Sequence, residues 1–147
     1  MTKKIFFVIS LAVVLLLVAF IWWHSLQPGT ASHAESRYVL SIVLSHADGT
    51  WLAPYLNDMH IRRLAHLTEY ASLGLSMSVL SLVLSGRQHK IWVLLVGICI
   101  AAIDEYIQQF SGGRTSTWHD VVFDTVGCFA GIVLVAVLSM IWRRCRH

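Results

Sequence analysis

The sequence predicts an all-α membrane protein: a bundle of four transmembrane helices, with both termini in the cytoplasm and an amphipathic segment outside the membrane between helices 1 and 2. Composition is the first observation behind this fold class. Of the 147 residues, 56% are hydrophobic and only 13% are charged, which is far from the balance of a water-soluble domain. The other two observations are four long apolar stretches and the placement of basic residues around them.

The four apolar stretches cover residues 5–23, 64–85, 91–110 and 119–142. Each is near the roughly 20 residues that a helix needs to cross about 30 Å of hydrocarbon. The second is the weakest, because His66, Glu69 and five serines dilute it, but its length and its flanking basic residues still favour a span. The first begins like a secretory signal peptide, yet its apolar run is too long and too far from a cleavage site, so we expect a retained anchor.

Basic residues orient the bundle. Lysines precede the first span, Arg87 and Lys90 lie in the short turn between the second and third, and three arginines follow the last. The positive-inside rule therefore predicts that both termini are cytoplasmic and that residues 24–63 and 111–120 lie outside.

The exterior segment 24–63 is too long to be a simple connection. It starts with a turn at Pro28-Gly29. After this turn, apolar residues recur at helical spacing: Leu40, Val43, Leu44 and Ala47. The segment is also rich in β-branched residues, which leaves a strand open, but we favour a short amphipathic helix on the outer membrane surface.

Four carboxylates inside the predicted spans lie at one depth: Glu69, Asp104, Glu105 and Asp124. At about 1.5 Å per helical residue, all of them fall within roughly the outer 10 Å of the bilayer. Intramembrane acids are costly and point to function. We therefore predict a polar site open to the outer leaflet. Its candidate residues are Arg63, His66, Glu69, Tyr70, Asp104, Glu105, Gln108, Arg114, Ser116, Asp120 and Asp124.

Helical spacing relates these candidates to one another. His66 lies three residues before Glu69 and four before Tyr70, so the three share a face. Asp104 and Glu105 diverge by about 100° around their helix. We therefore expect only one of these two acids to point at the bundle axis.

The start of the fourth span combines acids with small residues. Asp120 and Asp124 share a face with Gly127 and Gly131, whose spacing allows another helix to approach closely. Either Thr117 or the serine before it is expected to cap the helix, and the spacing of Thr117 and Asp120 resembles a capping box. Capping explains the deeper Asp124 less well than it explains Asp120.

Two segments carry a family pattern: "RRLAHLTEYASLGL" (62–75) and "DEYIQQFSGGRTSTWHDVVFDTVGCFAG" (104–131). In order and spacing they resemble the VanZ-like family, small bacterial membrane proteins named for a teicoplanin-resistance determinant. A weaker third block follows the first span, with Ser25, Gln27, Ser32 and Ser36. The sequence departs from the family at Ser111-Gly112, where a Val-Pro pair is frequent.

The resemblance implies a single membrane domain over residues 1–147 and a multi-pass location in the bacterial cytoplasmic membrane. It also implies a role at the cell envelope in low-level resistance to lipid-tailed glycopeptides. It implies no particular reaction. We expect the lipid bilayer as a partner and no nucleic acid.

Two functions are open. The first is a binding or shielding protein whose polar site engages a lipid-anchored ligand, such as a lipid-tailed glycopeptide or a lipid-linked cell-wall precursor. The second is a membrane-embedded enzyme acting on a lipid-linked or phosphorylated substrate, in which the carboxylates and His66 hold a divalent cation or act as acid and base. The sequence has no nucleophile motif and no metal motif such as His-Glu-x-x-His, which disfavours the enzyme.

A purely structural alternative is an ion-pair lock, in which Arg63 and Arg114 neutralise two of the acids. Five carboxylates against these two arginines leave an excess of negative charge. That excess must be protonated, hydrated, or matched by a ligand. A divalent cation fits such a site, although the sequence requires none.

Overall fold

The computed structural model of the chain describes residues 2–47, 49–51, 53–113 and 117–146. Within these residues it contains five α-helices and one short 3-10 helix, Ala53–Tyr55, and no strand. The α-helices are α1 (Thr2–Ser25), α2 (Gly29–Ala47), α3 (Asp58–Ser85), α4 (Lys90–Gln108) and α5 (Trp118–Arg144). All except α2 are long and apolar enough to cross a membrane, which confirms the all-helical class and the four spans.

Helix α3 begins well before the predicted start of its span at residue 64. Asn57 caps the helix, since its side-chain oxygen accepts a hydrogen bond of 2.9 Å from the backbone N–H of His60. The helix ends at Ser85, as predicted. There Gly86 takes a left-handed conformation with φ of 72° and donates its N–H to the carbonyl of Leu82 at 2.8 Å.

Helices α3 and α5 pack backbone against backbone. A Cβ atom added at Gly131 would lie 2.1 Å from the carbonyl oxygen of Ala71, and one at Gly127 would lie 2.6 Å from that of Leu67. Gly74 of α3 is in equally close contact with α5. Only glycine permits such an approach, so the close packing predicted for Gly127 and Gly131 is confirmed, and α3 is the helix they contact.

The core lies along the contacts of α3 with α1, α4 and α5. Around it, large apolar side chains on all four long helices are exposed, as Leu16, Ile91 and Leu138 illustrate. A water-soluble protein does not expose apolar surface on this scale. These helices are therefore suited to a lipid bilayer, in agreement with the predicted membrane location.

Helix α2 buries a different kind of surface. Its buried residues are Gly29, Ser32 and Ser36, which are small or polar, while its predicted apolar face is only half-buried. At its start, the N–H of Gly29 donates to the carbonyl of Gly112 at 2.9 Å. The segment is helical, as favoured, and its position on the outer membrane surface stays a prediction.

Candidate functional site

One end of the bundle collects the polar side chains. Helices α1 and α4 finish there and α3 and α5 begin there, so four elements distant in sequence present residues at the same level. We call this the polar end. It contains all the candidate site residues that the structure describes; Arg114 and Ser116 lie outside the described residues.

Both adjacent acids of α4 are buried. Asp104 is 0% exposed and Glu105 is 5% exposed. Helix α4 contacts α1 as well as α3 and α5, so side chains that diverge around the helix both meet protein. Burial does not test which of the two acids points at the bundle axis, so that expectation stays a prediction.

Gln108 connects α4 to α1. Its Nε2 donates to Asp104 Oδ2 at 3.1 Å and to Ser25 Oγ at 3.2 Å. Close by, Ser111 Oγ donates to the backbone carbonyl of Ser25 at 2.6 Å. Ser25 is 1% exposed, and it belongs to the weak third block of the family resemblance. This network holds the ends of the two helices together and orients the Asp104 carboxylate.

Glu69 faces α1 and contacts a histidine that the sequence reasoning missed. His24 Nδ1 lies 3.2 Å from Glu69 Oε1, and its Nε2 lies 3.2 Å from Glu35 Oε2 on α2. His24 thus joins three helices. Its position directly before Ser25 in the third block was the only sequence signal that could have identified it.

A second histidine contact joins α2 to α3. His33 Nδ1 contacts Asp58 Oδ2, and Ser36 Oγ donates to Asp58 Oδ1. None of these residues was among the predicted site residues, although Ser36 belongs to the third block. They attach α2 to the first turn of α3 rather than taking part in the cluster of acids.

A polar cavity of about 270 Å³ opens between α3, α4 and α5. Its lining includes six of the predicted site residues: Arg63, His66, Glu105, Gln108, Asp120 and Asp124. Among the described residues, Met59, Arg62, Thr117 and Phe123 also line it. Three other predicted residues, Glu69, Tyr70 and Asp104, do not line it. The structure therefore divides the predicted set between an open cavity and its buried surroundings.

Three side chains meet beside this cavity, one from each of three helices. The possible ligand atoms of His66, Asp104 and Asp124 lie within 4.8 Å of one another. His66 Nδ1 is 3.7 Å from Asp124 Oδ1. Asp124 is 1% exposed, and its Oδ2 is buried with no hydrogen-bond partner among the described residues. The same holds for the hydroxyl of Tyr70, one helical turn after His66.

The arginines of α3 form no direct ion pair with a described acid, although Arg62 attracts the Asp58 carboxylate electrostatically. Each ion pair between two described residues joins a histidine to a carboxylate. The guanidinium of Arg63 instead lies 5.0 Å from the ring centroid of Phe123. Arg62 Nε is buried and has no hydrogen-bond partner in the described part of the chain. An ion-pair lock through Arg63 is therefore not formed with these acids.

The start of α5 has the predicted capping residues, but their hydrogen bonds differ from those of a capping box. Thr117 is the N-cap, and Thr117 Oγ1 donates to Asp120 Oδ2 at 2.7 Å. In a capping box both side chains would instead accept backbone N–H groups. The positions were predicted correctly, but here the two side chains bond to each other at the rim of the cavity.

A family model described as VanZ/LLP1 matches residues 8–140. This range contains both segments that carry the family pattern and every candidate site residue. No curated protein and no solved structure matches the chain.

Proposed function

Because the chain belongs to the VanZ/LLP1 family and is a membrane protein, we propose that it binds a lipid-anchored ligand at the outer leaflet. The head group would enter the polar cavity, and the lipid tail would lie in an adjoining apolar groove. Sequestering or shielding such a ligand at the cell surface lowers susceptibility to lipid-tailed glycopeptides of the teicoplanin kind.

The observation that carries this proposal is that two different cavities share a wall. A groove of about 390 Å³ lies between α2 and α3, and its surface is mostly apolar, with Val39, Val43 and Leu64 among lining residues that also include polar side chains. Arg62 and His66 line both this groove and the polar cavity. A polar chamber that adjoins an apolar one matches the chemistry of an amphiphile.

Arg62 supports an anionic group on the ligand. It lies at the boundary of the two cavities, where a head group joins its tail, and its Nε has no hydrogen-bond partner among the described residues. A guanidinium binds carboxylate or phosphate oxygens through paired N–H groups. A buried donor of this kind is costly unless it is satisfied, and an anionic ligand would satisfy it.

The acids of the polar cavity define the rest of the head group. Glu105, Asp120 and Asp124 line the same space as the arginines, so a simple anion would be repelled on that side. The preferred head group therefore also offers hydrogen-bond donors or positive charge. Sugar hydroxyls and amines, which glycosylated amphiphiles carry, meet this requirement.

The test compares tailed and tail-free ligands on the purified chain in lipid nanodiscs. We expect a lipid-tailed glycopeptide to bind and the same glycopeptide without its tail to bind at least about tenfold more weakly. Arg62→Gln removes a charge-assisted hydrogen bond of roughly 1.5–3 kcal/mol, which corresponds to about a tenfold or greater loss of affinity. Val43→Trp fills the groove and should weaken only the tailed ligand.

Arg37→Gln is the matched control, because Arg37 is exposed on α2 and its one hydrogen bond within the described part of the chain goes to the carbonyl of His33 in its own helix. It should leave binding unchanged. Drug susceptibility of cells expressing each variant at equal levels should follow the binding order. Equal binding of tailed and tail-free ligands, or full binding by the Arg62 variant, would refute the proposal.

A further inference from the structure

We infer that His66, Asp104 and Asp124 form a binding site for one divalent transition-metal cation, of the Zn²⁺ or Mn²⁺ type, beside the polar cavity. The geometry of the three side chains is the first support. Their ligand atoms already lie within 4.8 Å of one another. Bonds of about 2.0–2.2 Å to a common ion would bring them to roughly 3–4 Å, so small side-chain movements complete the site.

The second support is an independent one, the state of Asp124. Its carboxylate is 99% removed from solvent, since its exposure is 1%, and Oδ2 has no hydrogen-bond partner among the described residues. A buried carboxylate oxygen without a donor is costly. A cation bound by this carboxylate would offset that cost.

Charge balance favours a divalent ion. Two ionised carboxylates and a neutral imidazole carry a charge of −2, which one such cation cancels. Both carboxylates are almost completely buried, Asp104 at 0% exposure, and mutual repulsion in a low-dielectric environment is strong. The ion would therefore stabilise three helices at once, because its ligands come from α3, α4 and α5.

A supporting hydrogen bond holds one of the ligands. Gln108 Nε2 donates to Asp104 Oδ2 at 3.1 Å and is itself placed by Ser25. Carboxylates that bind metals are commonly oriented by such partners, whose removal weakens metal binding about 10- to 100-fold. This arrangement explains why Gln108 and Ser25 are buried beside the cluster.

The ligand types indicate which cations bind. Ca²⁺ takes six to eight oxygen ligands, and Mg²⁺ usually keeps several waters. An imidazole with two carboxylates suits Zn²⁺ or Mn²⁺ better. Three protein ligands would leave coordination positions open, and the polar cavity, which His66 and Asp124 line, offers space for further ligands. If the proposed function holds, a neutral oxygen of the head group, such as a sugar hydroxyl, would occupy one of them.

The experiment uses the full chain in detergent, stripped of metal and free of any lipid-tailed ligand. After equilibrium dialysis against Zn²⁺, Mn²⁺, Mg²⁺ or Ca²⁺, elemental analysis gives the ion content per chain. We expect about one Zn²⁺ or Mn²⁺ per chain, a rise in Tm on loading, and weak binding of Mg²⁺ and Ca²⁺. Asp124→Asn should lower the affinity more than about tenfold and abolish the rise in Tm.

Asp58→Asn is the matched control. It makes the same chemical change at another carboxylate that contacts a histidine, and Asp58 lies outside the cluster and the cavity. Metal binding should be unchanged in this variant. If Asp124→Asn does not purify as a folded protein, His66→Gln and Asp104→Asn make the same test, because each removes one ligand.

The inference is overturned if the wild-type chain binds no stoichiometric Zn²⁺ or Mn²⁺, or if ligand variants and control lose the ion alike. Its failure is distinguishable from that of the proposed function. Arg62→Gln should keep the ion and lose the lipid-tailed ligand. A chain that binds the tailed ligand but no metal would refute only the cation site. A chain that binds the metal but not the tailed ligand would refute only the ligand proposal.

Discussion

Helix α3 is held by two unlike contacts. Against α5 it packs through glycines, with a distance of only 2.1 Å between a hypothetical Cβ at Gly131 and the carbonyl oxygen of Ala71. Against α2 it is joined by polar contacts: the carboxylate of Asp58 contacts the imidazole of His33 and accepts a hydrogen bond from the hydroxyl of Ser36. The first contact depends on shape and has no tolerance for added atoms. The second depends on hydrogen bonds and charge, so solvent conditions can weaken it.

This difference indicates how the protein would combine rigidity with the proposed ligand site. The contact of α3 with α5 fixes the positions of His66 and Asp124 on facing helices. The apolar groove, by contrast, lies along the polar α2–α3 contact. Under the proposed function, the chamber that would admit a lipid tail is therefore bounded by the more easily opened contact.

The largest expected effect comes from breaking the glycine contact. Gly131→Ala places a methyl group against the backbone of α3 and forces the helices apart, at a cost of roughly 3 kcal/mol. Thermal unfolding in detergent measures this loss. Gly112→Ala is the control, since no atom of the described residues lies within 4 Å of a Cβ there, and it should change Tm little. Equal Tm values for the two variants would contradict the backbone packing described for α3 and α5.

A smaller and local effect is expected at the polar contact. Asp58→Ala removes the hydrogen bonds that attach α2 and should cost about 1–3 kcal/mol. Because this contact is separate from the glycine contact, hydrogen exchange should accelerate in α2 and remain unchanged in the centre of α5. Ser41→Ala is the control, as the hydrogen bond that Ser41 makes among the described residues stays within α2. Faster exchange throughout α5 would show that the two contacts are not independent.

The smallest effects distinguish the starts of the two helices. Asn57→Ala removes a side-chain cap of α3 and should destabilise the protein by about 1 kcal/mol. Thr117→Ala should cost less, a few tenths of a kcal/mol, because Thr117 accepts no backbone N–H at the start of α5. Urea titration of both variants tests the order. A larger loss for Thr117 would mean that its bond to Asp120 is worth more than a cap.

Much of the fold follows from the sequence alone. Apolar length defines the four membrane helices, and the four-residue spacing of Gly127 and Gly131 predicts a close contact with a neighbouring helix. Both are local properties, set by the solvent and by helix geometry. The identity of the neighbour is not local, which is why the sequence predicts the contact but not that α3 makes it.

The candidate site was predictable in composition but not in arrangement. The position of each acid along its helix predicts that the acids lie at one level. Which of them line the cavity and which are buried beside it depends on how many helices surround α4. The burial of both Asp104 and Glu105 follows from that number. The histidine contacts escaped prediction because His24 and His33 meet carboxylates on other helices, 11 or more residues away.

The junction of Gly29 with residues 112–113 has a practical consequence for labelling the protein. A Cβ at Gly29 would lie 2.5 Å from the carbonyl oxygen of Gly113, so neither connection accepts an inserted tag without separating the other. Gly49 is exposed, with nothing within 4 Å of the same hypothetical atom. An epitope inserted after Gly49 should therefore leave the contact between Gly29 and residues 112–113 intact. Antibody binding to intact cells would then show whether this segment lies outside the membrane.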